Sequence, residues 1–367
     1  ATSFHPDRQS ENFEFDVHQF KIYGNSVRGI TGEVSKYIEF LKSEKFDLVY
    51  VKAAQQWSFD LILDNIEQIP SKIAVLTCGL PNLDDPTYSG YYAKLKEKLP
   101  QFAGFFFNSK TARDYNWIKS QGYQNLYTIH NGASESEFLE TKSGFRKKFG
   151  ISESDCILLS IGNPRVQKGQ FDLIQVFQKI KVEKPTTLVL VGDEINPFRV
   201  FLEKIYRRLR SLPPDPEHRL YDLSKSSELN SGFKRILCVN LPRKTVLEAY
   251  FDSQAMIFLS KIEYAPLVLF EAMASGLPFF STNVGNSKEI AALAQSGIIL
   301  NSKTGDSRLD ETDLEEIARY LEKKLSNEAD LKVMGEMGRQ FWKRHLTWTA
   351  IADHYAAAFA ELIKKSS

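Results

Sequence analysis

A chain of 367 residues is longer than one hydrophobic core usually supports, so its length predicts two domains. The 47 Lys and Arg nearly balance the 46 Asp and Glu, which excludes bulk nucleic-acid binding and limits any membrane contact to local patches. Cys78, Cys156 and Cys238 are too few and too scattered for a disulfide framework or a zinc site, and they suit a reducing cytoplasm. No apolar run approaches a bilayer span, and Ala1-Thr-Ser-Phe-His5 shows no leader.

In chain order, residues 13–23 have the apolar spacing of a strand, and 33–43 carry a helical stripe at Val34, Tyr37, Ile38 and Leu41. Residues 47–52 form a buried-type strand, 59–66 a helix, and 73–77 and 104–108 further strands. Ser109 is a candidate cap for a helix through Trp117, and residues 126–129 form a short strand running into His130-Asn131-Gly132, where glycine would supply a turn of positive φ. A charged stretch from 140 to 148 reads as a linker with a short helix. The alternation then restarts: strand 156–162, helix 170–182, strand 187–192, basic helix 196–209, a polar insertion to Gly232, strand 236–240, helix 245–250 and strand 255–259. Strands at 278–281 and 298–300 follow, and the tail from Glu311 is helical. This βα alternation predicts an α/β protein with mostly parallel sheets covered by helices on both faces.

The chemistry is expected around residues 263–271, where Glu263 and Glu271 stand with seven residues between them. Pro266 suits the first turn of a helix through Ala274 that Gly276-Leu-Pro278 stops. Glu263 then lies in the loop before the helix, and Glu271 inside it. The free N–H groups and positive dipole end of the helix fall between the two carboxylates. Such an end attracts phosphate, and the flanking carboxylates can accept hydrogen bonds from sugar hydroxyls. A sugar, a diphosphate and a ribose make a nucleotide-sugar. Upstream, Gly162-Asn163-Pro-Arg165-Val-Gln-Lys168-Gly169 ends a strand with a glycine that lets a ligand approach the backbone, and Lys168 offers a fixed cation to a departing diphosphate.

The string Glu263…Leu267-Val268…Glu271-Ala-Met-Ala-Ser-Gly-Leu-Pro278…Asn283-Val-Gly285 resembles the E-x7-E region of retaining GT-B glycosyltransferases, in particular glycosyltransferase family 4. Asn131-Gly132…Phe138, Lys168-Gly169 and Met337-Gly338…Phe341…Trp348…Tyr355 resemble other signatures of that family. The resemblance implies two Rossmann-like domains facing each other across a cleft: an acceptor-side domain over 1–140, a donor domain over 141–340, and a closing helix over 341–367 that crosses back. It implies Glu263 against the transferred sugar, Glu271 on the ribose, and Lys168 with Arg165 on the diphosphate. Gly162, Asn163, Leu241, Pro242, Arg243, Tyr264, Ala265, Pro266, Leu267 and Val268 would line the donor, with Leu241-Pro242-Arg243 near the base. The implied reaction moves a hexose-type sugar, with retention, from a UDP-sugar to a saccharide or lipid-linked acceptor in polysaccharide synthesis. No metal or other cofactor and no nucleic acid is expected.

Three departures from the family pattern stand out. Asn163 replaces an arginine, for which Arg165 could substitute. The loop Thr77-Cys78-Gly79-Leu-Pro81 has no histidine, and the glycine-rich loop after the first strand is missing, as though the chain starts beyond it. These favour the alternative of a non-catalytic nucleotide-sugar-binding subunit; a phosphorylase of the same fold would need a phosphate site not visible here. His5, His18, His130, His218, His345 and His354 lack metal-ligand spacing, and Asp84-Asp85-Pro86 reads as a turn. The basic run from Arg199 to Arg210 is a solvated face or a contact with anionic lipid, which would make the expected cytoplasmic protein peripheral at the inner face of a membrane.

Overall fold

Apolar runs such as Ile73-Ala-Val-Leu76 and Ile157-Leu-Leu159 become parallel strands because residues covered on both faces need no polar alternation. The computed structural model describes residues 2–3, 15–43, 46–163, 165–192, 197–210, 222, 232–300 and 309–365. Two compact units divide the chain. One holds Ala1–His130 with Ala352–Ser367; the other holds Asn131–Ile351.

In the first unit β1 (Ile22–Asn25) and β2 (Gly29–Gly32) pair antiparallel, and α1 (Val34–Ser43) follows. The sheet proper is β3 (Leu48–Lys52), β4 (Lys72–Leu76), β5 (Gly104–Phe107) and β6 (Leu126–Thr128), parallel and in that spatial order. The connecting helices are α2 (Trp57–Asn65), α3 (Ser89–Lys98) and α4 (Arg113–Ser120). The strand expected over 13–23 is found, in its described part, as Gln19–Phe20 and the start of β1. Ser109 does not cap α4: its Oγ accepts from the Thr111 N–H at 3.0 Å, and the helix starts later, after Ala112.

The second unit opens with α5 (Glu135–Glu140) and α6 (Phe145–Phe149). Its strands are β7 (Cys156–Ile161), β8 (Thr186–Val191), β9 (Lys234–Val239), β10 (Ala255–Phe258), β11 (Phe279–Thr282) and β12 (Gly297–Leu300). All pair parallel, in the spatial order β9-β8-β7-β10-β11-β12. The chain therefore winds outward from β7 through β8 and β9, returns, and winds the other way from β10. The adjacent β7 and β10 form the switch point of a doubly wound sheet, where loops leave in opposite directions and open a crevice. The helices are α7 (Gln170–Lys179), α8 (Pro197–Leu209), α9 (Arg243–Asp252), α10 (Leu267–Ser275), α11 (Ser287–Ala294), α12 (Glu311–Leu325) and α13 (Glu328–His345). Leu173, Ile174 and Phe177 of α7 share a core with Leu188, Ile257, Leu314 and Ile317. The polar insertion before Gly232 lies almost wholly outside the described residues.

Gly132 differs from its expected role, since it has no positive φ. A Cβ there would stand 2.4 Å from the Leu346 carbonyl oxygen, so the residue is small because two backbone segments meet. Helix α8 presents Phe201, Leu202, Ile205 and Leu209 to solvent, while Glu203 and Arg207, paired at 3.4 Å, are half-buried. The last helix, α14 (Trp348–Lys364), contributes Tyr355, Phe359 and Leu362 to the first unit. Tyr355 stacks on Phe106 with centroids 5.5 Å apart, and Phe359 meets Tyr50 at 5.0 Å.

Candidate functional site

The loops after β7 and β10 carry the residues expected to do the chemistry, and the sheet topology makes these loops neighbours. After β7 the chain passes Gly162 and exposed Asn163 and Arg165, then makes a 3-10 turn over Val166–Lys168. The Gln170 amide holds the Gly162 carbonyl at 2.7 Å. After β10 it runs through Ser260 and Lys261 to Glu263.

Lys168 Nζ lies 2.6 Å from Glu263 Oε1, so the two charges bridge the switch point. Ser260 Oγ donates to the same carboxylate oxygen at 2.9 Å. A second pair joins the same two segments in the reverse sense, Lys261 Nζ to the buried Asp172 Oδ2 at 2.7 Å. The Lys261 N–H also donates to the Gln167 carbonyl at 2.7 Å.

Backbone fit explains why this loop holds its shape. Gly169, at φ +67°, would put a Cβ 1.8 Å from the Leu259 carbonyl oxygen. Gly285, at φ +53° in the loop after β11, would put one 2.4 Å from the Tyr264 carbonyl oxygen and 3.1 Å from that of Glu263. Only glycine combines left-handed backbone with so close an approach. Asn131 Nδ2 donates to the Ala265 carbonyl at 3.0 Å.

Pro266 stands at the cap of α10 with extended backbone (φ −67°, ψ 114°), one residue earlier than the expected first-turn position. It offers no side-chain acceptor to the first-turn N–H groups. Tyr264, Ala265 and Val268 are half-buried, and Leu267 is exposed. Glu271, inside the helix, has both carboxylate oxygens engaged. Tyr250 Oη donates to Oε2 at 2.7 Å, and Arg243 Nη2 lies 2.7 Å from Oε1. Arg243 also donates from Nε and Nη2 to the two oxygens of Glu137, at 2.9 and 2.7 Å. The Glu137 bonds hold the guanidinium firmly protonated, with Glu271 adding to the effect, and Arg243 in turn keeps the Glu137 carboxyl below its ordinary range. Burial, and then the Glu271 charge, push the Tyr250 phenol well above its ordinary value, so at neutral pH it keeps the proton that it donates to Glu271.

Two clusters emerge, Lys168–Glu263–Ser260 and Glu271–Tyr250–Arg243–Glu137. Arg165 meets the first cluster through its backbone, its carbonyl accepting from the Lys168 N–H at 2.9 Å, and Pro242 is exposed at the cap of α9 beside half-buried Leu241. Sequence reasoning missed Glu137, Tyr250 and Ser260. Among the described residues no three His, Cys, Asp or Glu side chains gather as a metal cage, and no helix is long and apolar enough to cross a membrane.

The chain is 27% identical over 242 residues to N-acetyl-alpha-D-glucosaminyl L-malate synthase of Bacillus anthracis, a span covering 66% of this chain and 55% of that protein. It is 28% identical over 184 residues to an uncharacterized glycosyltransferase of Methanocaldococcus jannaschii, covering 49% and 42%. The match thus spans about half the length of these relatives. Sucrose-phosphate synthase from Thermosynechococcus elongatus superposes with a TM-score of 0.67 at 17% identity over 91% of this chain and 78% of that one. Anabaena HepE, solved in complex with UDP, gives 0.65 at 13% identity over 89% and 82%. These likenesses show the α/β GT-B fold. The profile of the family described as glycosyl transferases group 1 matches residues 141–341, and the chain belongs to that family.

Proposed function

We propose that the chain is a retaining, family 4-type glycosyltransferase that moves a hexose-type sugar from a UDP-sugar to a saccharide or lipid-linked acceptor in glycan synthesis. The observation that carries this reading is the Lys168–Glu263 pair across the β7/β10 switch point, beside the N-terminus of α10. A diphosphate is drawn to that helix end and to Lys168, which together supply the positive charge and leave no need for a metal ion. Glu263 orients the sugar, and Glu271 takes the ribose hydroxyls. The bond from the anomeric carbon to the phosphate oxygen breaks as the acceptor oxygen bonds on the same face. The acceptor proton passes to the leaving diphosphate, so no covalent glycosyl-enzyme forms. A solved complex of HepE with UDP-glucose supports the choice of donor class.

The outward apolar stripe of α8, with exposed Arg208 and Arg210, supports a cytoplasmic protein resting against the inner face of a membrane. A thermal-shift panel of nucleotide-sugars tests the donor, because a ligand bound only by the folded chain raises Tm. Glu271→Ala should raise the donor KM, and Lys168→Ala should lower kcat by about a hundredfold, the loss typical for one electrostatic group. Unchanged kinetics in both variants would defeat the assignment.

A further inference from the structure

A carboxylate that reads a vicinal diol must be held in one plane, and Glu271 is held at both oxygens. Tyr250, 1% exposed, fixes Oε2, and Arg243 fixes Oε1. A carboxylate has about four acceptor positions, and these two bonds use one on each oxygen. One remains on each oxygen, the pattern that two adjacent hydroxyls require. Arg243 lies on the exposed start of α9 and would not by itself hold one rotamer. Glu137 of α5 supplies the constraint, because its two oxygens take a two-pronged grip on the guanidinium. Phe138, the next residue, is wholly buried, with its ring 5.9 Å from that of Tyr250, so α5 is anchored beside the site.

We propose that Glu137 and Tyr250 are positioning residues for recognition of the donor's ribose, Glu137 acting through Arg243 and Tyr250 acting directly on Glu271. The inference rests on the reading of Glu271 given above. It assigns part of the donor specificity to α5, outside the Glu263–Glu271 segment.

The test uses the full chain and four nucleoside diphosphates, those of uridine, adenosine, guanosine and cytidine. The tightest binder is compared with its 2′,3′-dideoxy counterpart and with inorganic pyrophosphate, in the wild type, Glu137→Gln and Tyr250→Phe. Wild type should prefer the ribo form by about tenfold or more, as expected for hydroxyls donating to a charged acceptor. Each variant should lose most of that preference while binding pyrophosphate as the wild type does. A damaged fold would weaken pyrophosphate too, and Tyr250→Phe removes only a hydroxyl, so the two variants guard each other. Wild-type preference retained in both variants would overturn the proposal. So would tighter ribonucleotide binding by Glu137→Gln, since Arg243 would then be competing with the ribose. If the wild type shows no ribose preference, or binds none of the four, the Glu271 reading itself fails.

Discussion

Gly169 and Gly285 show how single residues hold the candidate site. Each sits in left-handed backbone and lets another strand's loop come closer than any side chain would allow. Gly169→Ala combines a strained φ with a Cβ 1.8 Å from the Leu259 carbonyl oxygen, and something must move. Strain of this kind costs on the order of 1–3 kcal/mol per position. The variant should lose several degrees of Tm by calorimetry and should shift the loop that carries Glu263, so turnover falls as well. A normal Tm would show that the loop yields freely. At this scale the sequence disclosed the charged residues but not their partners. Lys168 and Glu263 were each legible from local spacing, yet their pairing depends on two loops 95 residues apart, which only strand order brings together. Tyr250 was hidden because an aromatic on a buried helix reads as core, and Glu137 because an acid in a helix's first turn reads as a solvated dipole partner.

Helices and strands differ in how plainly they announced themselves. Strands covered on both faces stood out as apolar runs, and most begin within two residues of expectation. The β1–β2 hairpin gave no such signal, since most of its residues face solvent and Gly24, Gly29 and Gly32 take positive φ. Helix α8 was read as a basic face; Lys204, Arg208 and Arg210 are exposed, and its structure shows an apolar stripe turned outward as well. An exposed apolar stripe of this kind is a surface to test for binding. If an anionic bilayer is what it meets, the chain should float with phosphatidylglycerol-containing vesicles and not with phosphatidylcholine alone. Leu202→Gln with Ile205→Gln should abolish flotation without changing donor binding. Equal recovery of that double variant would remove the membrane reading while leaving the transferase reading intact.

At the level of the whole molecule, the second unit is closed in sequence over Asn131–Ile351, whereas the first is built from two distant stretches. Length led to the expectation of two domains, and the second sheet was legible almost throughout. Which sheet the tail would join came from the family resemblance and not from periodicity, because an amphipathic helix carries no address for the surface it covers. Phe359 meets both Tyr50 and Phe106. Phe359 is half-buried, so Phe359→Ala should destabilise the first unit by less than the ~3–5 kcal/mol that a wholly buried phenylalanine costs. In hydrogen exchange the loss of protection should appear at β3 to β6 and spare β7 to β12; uniform loss would mean that the two units unfold as one. The same discontinuity constrains biosynthesis. A ribosome adds about 5–20 residues per second, so the first sheet waits on the order of ten to forty seconds for the helix that covers Phe106. The unit made first is therefore the one finished last, and during that interval its bare aromatic face is what a chaperone would recognise.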